Sequence, residues 1–166
     1  MAAHWLPTLI LISGVIDDMR SRKIHNQLIV GLAIFTLAAQ FYMGGWDRLL
    51  TGTLGLGAGL LFCLPLVLAR ILGAGDMKLL AVFGLASDWT SVGAVLLLSL
   101  FWGAVLGIVR AALKGELTLL LYSTASVAMR KKPPASSLQQ IPYSVALFFG
   151  WLTYLTVSRL PGVSLW

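Results

Sequence analysis

The chain is short of what a soluble domain needs. Only 11% of its 166 residues are charged, against about a quarter in an ordinary globular protein. A single cysteine, Cys63, excludes an intrachain disulfide and any Cys-based metal centre. Its place inside an apolar run makes it a small packing residue. The two histidines, His4 and His25, stand too far apart in sequence to form a ligand set by spacing, so no metal is expected. The polar–apolar alternation of a transmembrane β-barrel is also missing.

What remains is apolar, 58% of the chain, and it is grouped. Uncharged runs cover 1–16, 27–46, 49–69, 89–109 and 133–158. A hydrocarbon core of about 30 Å takes about 20 helical residues, so the runs predict an all-α polytopic membrane protein. Six segments are expected, near 4–17, 27–45, 49–69, 76–88, 91–110 and 141–158, forming one membrane-embedded domain over 1–166. The first run has no Lys or Arg ahead of it; Arg20, Arg22 and Lys23 follow it. That polarity does not fit a cleavable signal peptide.

The net charge of +6 raises the question of nucleic acid. The bases sit instead in loops beside the membrane segments, where they act as topology signals and meet anionic headgroups. The expected partner is the lipid bilayer, with no nucleic acid. With both termini outside, the inner loops hold Arg20, Arg22, Lys23, Arg70, Lys78, Arg110, Lys114, Arg130, Lys131 and Lys132, and only Arg48 and Arg159 lie outside. The reverse orientation would invert that bias. Trp46 and Trp89 fall at outer boundaries as interface anchors, while Trp151 falls within the last segment as a packing residue.

The fourth segment keeps only nine uncharged residues between Lys78 and Asp88. It must therefore sit in protein or border a water-filled cavity. The loop 111–140 is read as cytoplasmic, and its apolar stretch 117–129 is too short to span and reads as an interfacial or re-entrant helix. Gly55/Gly59 and Gly103/Gly107 each form a GxxxG, which lets helix backbones approach closely.

Chemistry concentrates in the acids. Asp17 and Asp18 close the first segment, and Asp76 opens the fourth behind Gly73 and Gly75. An ionisable group at membrane depth is costly and is a functional candidate by default. The layout puts these acids near the cytoplasmic face. Two carboxylates can hydrolyse a peptide bond if one is ionised and takes a proton from water while the other donates to the carbonyl oxygen. Gly73 and Gly75 carry no side chain, so the backbone there can turn sharply and come close to an extended substrate.

Three stretches carry a family resemblance. Asp18-Met-Arg-Ser-Arg-Lys-Ile24-His25-Asn26 resembles the first-aspartate motif of type IV prepilin peptidases, Asp-x-Arg-x-x-x-Ile-Pro-Asn. Gly73-Ala-Gly75-Asp76-Met-Lys78 resembles their second motif, Gly-x-Gly-Asp-x-Lys. Ile141-Pro142-Tyr143-Ser-Val-Ala146 resembles the Ile-Pro-Tyr-Gly-x-Ala opening of their last helix. Order, spacing and six-segment layout agree over essentially the whole chain.

The resemblance implies a membrane aspartyl protease of the GxGD type in the inner, cytoplasmic membrane. It implies removal of the basic leader of prepilin-like precursors at the cytoplasmic face, commonly after a glycine, without a cofactor. It implies Asp18 and Asp76 as the catalytic pair, Asp17 as a neighbour, and Lys78 and Asn26 as supporting residues. Position 25 is His where the pattern has Pro, and Ser144 stands where Gly is usual. With one cysteine there is no paired Cys-x-x-Cys domain of the kind that methylates the new N-terminus. The chain looks like the peptidase-only enzymes of tight-adherence (Flp-type) pilus systems or the archaeal preflagellin peptidases. A different reading of the same acids is a non-enzymatic assembly factor or proton-pathway subunit.

Overall fold

The computed structural model describes residues 4–69, 71–114 and 143–159. These residues form five helices in order: α1 (Trp5–Ser21), α2 (Asn26–Leu68), α3 (Ala74–Ala86), α4 (Trp89–Lys114) and α5 (Tyr143–Val157). Among the described residues there is no strand. The stretch 117–129 lies outside them. Among the described residues two helices are long and apolar enough to cross a membrane, α2 and the Trp89–Arg110 part of α4, with mean hydropathies of 1.8 and 2.4. α5 is apolar and shorter.

α1 runs a full turn beyond its expected end at residue 17. Arg20 lies in that last turn, where a cation faces the negative end of the helix dipole. Arg22 then stops the helix in the left-handed region, at φ 53°, with its N–H bonded to the Asp18 carbonyl at 2.8 Å.

The 43 residues of α2 replace two expected segments, and Gly45 is why they are two arms. Its φ of 61° and ψ of −143° are not helical. Gln40 donates from Nε2 to the Leu85 carbonyl at 3.1 Å, and Gly52 packs on that same carbonyl oxygen. Twelve residues of straight helix would separate them by about 18 Å, so the chain folds back at Gly45. No atom lies within 4 Å of a Cβ built there, so backbone conformation alone calls for glycine. Gly45→Ala should cost of order 1–3 kcal/mol, read as a lower Tm; an unchanged Tm would mean that the reversal is not held at this residue.

α3 sits at the centre. Every residue from Leu79 to Ala86 is buried, the mark of a helix with neighbours all round. Thirteen residues reach only about 20 Å, and protein surrounds them, as the short fourth segment required. Gly14 of α1 receives Leu79; Gly52, Gly55 and Gly59 of the second α2 arm lie on the backbone of Leu80–Leu85; Gly84 touches both Gly55 and Val92 of α4. Phe83 meets Trp151 of α5 edge-on at 5.1 Å. Of the two glycine pairs, Gly55/Gly59 makes a close backbone approach, while Gly107 has nothing within 4 Å and Gly103 only meets side chains of α5.

Side-chain hydrogen bonds peg α5 in place, as polar groups do between helices in an apolar surrounding. Trp151 Nε1 donates to Thr8 Oγ1 at 2.8 Å, and the Tyr143 hydroxyl lies 2.7 Å from Ser99 Oγ. Trp151 is buried and Trp46 and Trp89 are exposed, in keeping with their sequence readings. Cys63 is fully buried.

Candidate active site

The helical period separates the two adjacent acids. The buried stripe of α1 runs through Leu6, Pro7, Ile10, Leu11, Gly14 and Asp18. Asp17, about 100° round the helix, points elsewhere. It takes the backbone N–H of His25 on Oδ2 at 2.8 Å and faces His25 Nδ1 from Oδ1 at 2.9 Å. Proline at position 25 would have no N–H to give. The loop after α1 is therefore fastened by Asp17 rather than stiffened by a proline ring.

That loop carries the second half of the first motif onto α3. A Cβ built on Gly75 would sit 3.3 Å from Cβ of Ile24. Lys78 Nζ donates to Asn26 Oδ1 at 2.8 Å. Asp76 is the third residue of α3 and half-buried, and its Oδ2 lies 2.9 Å from where a Cβ on Gly73 would stand. Gly73 itself has φ −76° and ψ 146°, a conformation open to any residue. The sequence expectation that these glycines allow a sharp turn is thus replaced by a need for space. Gly73 leaves room for the Asp76 carboxylate, and Gly75 for Ile24.

Asp18 and Asp76 come within electrostatic reach of each other. The Cys63 thiol and the Tyr143 hydroxyl are within the same reach of Asp76. Ser144, from the first turn of α5, donates its hydroxyl to Asp18 Oδ2 at 2.6 Å. All six residues singled out in the sequence, Asp18, Asn26, Gly73, Gly75, Asp76 and Lys78, therefore gather at one end of the bundle. Two acids that interact in this way titrate as a coupled pair.

The sequence model of the type IV leader peptidase family matches residues 5–108. The chain belongs to the type IV leader peptidase family. No curated protein and no solved structure gives a match. Members of the leader peptidase family are membrane proteins, and the two long apolar helices fit that setting. The matched stretch includes both Asp18 and Asp76 and ends within α4, before α5.

Membership in the leader peptidase family makes the chain a peptidase with a prepilin-like peptide as its class of substrate. Tyr143 and Ser144 stood in the sequence as part of the third motif and Cys63 as a packing residue, but nothing there marked any of them as a neighbour of the acids. Their distances along the chain, 126 residues for Ser144 to Asp18, leave no local pattern to read. Ser144 gave a signal only as a hydroxyl where the family pattern has glycine.

Proposed function

We propose that this leader peptidase is an aspartyl endopeptidase. It removes the N-terminal leader of type IV prepilin-like precursors at the cytoplasmic face of the inner membrane, with Asp18 and Asp76 as its catalytic pair. The observation that carries the reading is that Asp18, buried at the end of α1, and Asp76, at the start of α3, stand at the same end of the bundle within electrostatic reach of each other, the end that also bears Arg20, Arg22, Lys23 and Lys78. The positive-inside bias supports putting that end in the cytoplasm. The fold-back at Gly45 supports counting α2 as two spans, so that six segments cross, with the start of α1 and the end of α5 outside.

In this reading one carboxylate is ionised and the other protonated, because two acids that interact in a low dielectric do not both ionise easily. The ionised group takes a proton from water as the oxygen attacks the scissile carbonyl carbon. The protonated group gives its proton to the carbonyl oxygen. Collapse of the tetrahedral intermediate then breaks the C–N bond, the first group gives the proton it took to the leaving amine, and the second recovers its proton from the hydroxyl that becomes the new carbonyl. Gly73 and Gly75 leave the approach to Asp76 free of side chains, and Lys78 with Asn26 holds the first loop against α3.

The test is co-expression with a type IV prepilin, followed by gel shift and N-terminal sequencing of the product. A new N-terminus at the leader junction supports the peptidase. Proton flux in vesicles, with intact precursors across a panel of prepilins, would favour the proton-pathway reading instead.

A further inference from the structure

Most hydroxyls on these helices turn back on their own backbone. Thr8, Ser13, Thr36, Ser87 and Thr153 each donate to the carbonyl four residues earlier. Ser144 does not. It reaches across to another helix and donates to Asp18 Oδ2 at 2.6 Å, the length of a hydroxyl–carboxylate hydrogen bond. Both residues are buried, Ser144 fully and Asp18 to 8% exposure. Asp18 Oδ1 has no protein donor among the described residues.

The helix that delivers this hydroxyl is held firmly. Next to Ser144, Tyr143 is bonded to Ser99. Two turns on, Gly150 rests on the Ser99 nitrogen and Val95 carbonyl, each 2.9 Å from a Cβ built there. Trp151 is bonded to Thr8. A donor on a rigid element fixes its acceptor better than one on a loop.

We propose that Ser144 is the positioning residue for Asp18, holding Oδ2 so that Oδ1 is the oxygen offered to water. The proposal rests on the reading of Asp18 as one of the catalytic pair. A hydroxyl can donate to a carboxylate and accept from a carboxylic acid, so Ser144 keeps its partner while the proton moves during the reaction. Ser144 lies beyond the stretch matched by the family, and only the fold brings it to Asp18.

The test compares wild type, Ser144→Ala and Ser144→Thr in the full-length protein, reconstituted in liposomes. One readout is steady-state cleavage of a prepilin; the other is the rate at which a hydrophobic carbodiimide labels Asp18, followed by mass spectrometry. Ser144→Ala should lower kcat about tenfold with KM unchanged, the scale of one hydrogen bond to a charged group. It should also label Asp18 faster, because Oδ2 has lost its donor. Ser144→Thr keeps the hydroxyl and should stay near wild type in both. An unchanged kcat in Ser144→Ala overturns the proposal. So do equal losses in the Ala and Thr variants with labelling unchanged, which would be packing alone. If wild type cleaves no precursor while Ser144→Ala still speeds labelling, the hold on Asp18 stands and the peptidase reading falls.

Discussion

Asp18→Asn and Asp76→Asn should each abolish leader cleavage, by at least about a thousandfold, while Asp17→Asn cleaves at close to the wild-type rate. Asparagine keeps the shape of the side chain but can neither take nor give the proton, and a positioned acid or base contributes about 10²–10⁴ in rate. The two effects should not add, because each carboxylate is useful only with the other. Asp17 is the informative control. It is adjacent to Asp18, yet it sits off the buried stripe and is engaged by His25. Its amide replacement still offers one oxygen to the His25 N–H, so the loop keeps a fastener. The measurement is product per unit of membrane-inserted protein, by gel shift and N-terminal sequencing. Cleavage within tenfold of wild type in either Asp18→Asn or Asp76→Asn would sink the two-carboxylate mechanism. Loss of cleavage in Asp17→Asn at normal protein level would show that the loop clamp matters to the reaction.

A large stability effect is also expected at Gly55. A Cβ there meets the carbonyl oxygen of Gly84, and a Cβ on Gly84 meets that of Gly55. Both obstacles are backbone, so no side chain can swing away. The two helices must part, and overpacking of this kind typically costs about 1–3 kcal/mol. For Gly55→Ala a Tm loss of roughly 3–10 °C follows, and Gly55→Leu should prevent assembly of the bundle. Because α3 carries Asp76, cleavage should fall with the packing. Gly57, two residues on, has nothing within 4 Å of a built Cβ. Gly57→Ala should hold or raise Tm, since alanine favours helix by up to about 1 kcal/mol over glycine. Equal responses at 55 and 57 would mean that helix propensity, not close approach to α3, governs this arm.

Much of this fold was open to a reading of the chain. Long uncharged runs have one stable form in hydrocarbon, because a helix pairs all of its own backbone groups. The layout of apolar runs put Asp18 and Asp76 at the same end of the bundle, where the structure has them. The short run after Lys78 required shelter, and α3 has it on every side. Gly55 and Gly59 announced a close helix contact, although the stripe continues through Gly52 to Cys63, all buried on one face. Gly103 and Gly107 show the weakness of the same pattern. Spacing puts two glycines on one face, but it does not say whether a backbone or a side chain comes to meet them.

By itself, the sequence determined the helical class of the described residues, the long apolar runs, the acids that stand at the end of α1 and the start of α3, and the motifs that identify the family. These follow from composition, period and local spacing, which are properties of neighbouring residues. Only the tertiary structure decided that Asp17 turns to His25 while Asp18 turns inward, that Gly73 and Gly75 give space rather than a sharp turn, and that Ser144 reaches Asp18 from the far side of the bundle. The reason is physical. Which side chain meets which depends on how helices cross and how far each is rotated, and those are set by the packing of the whole bundle.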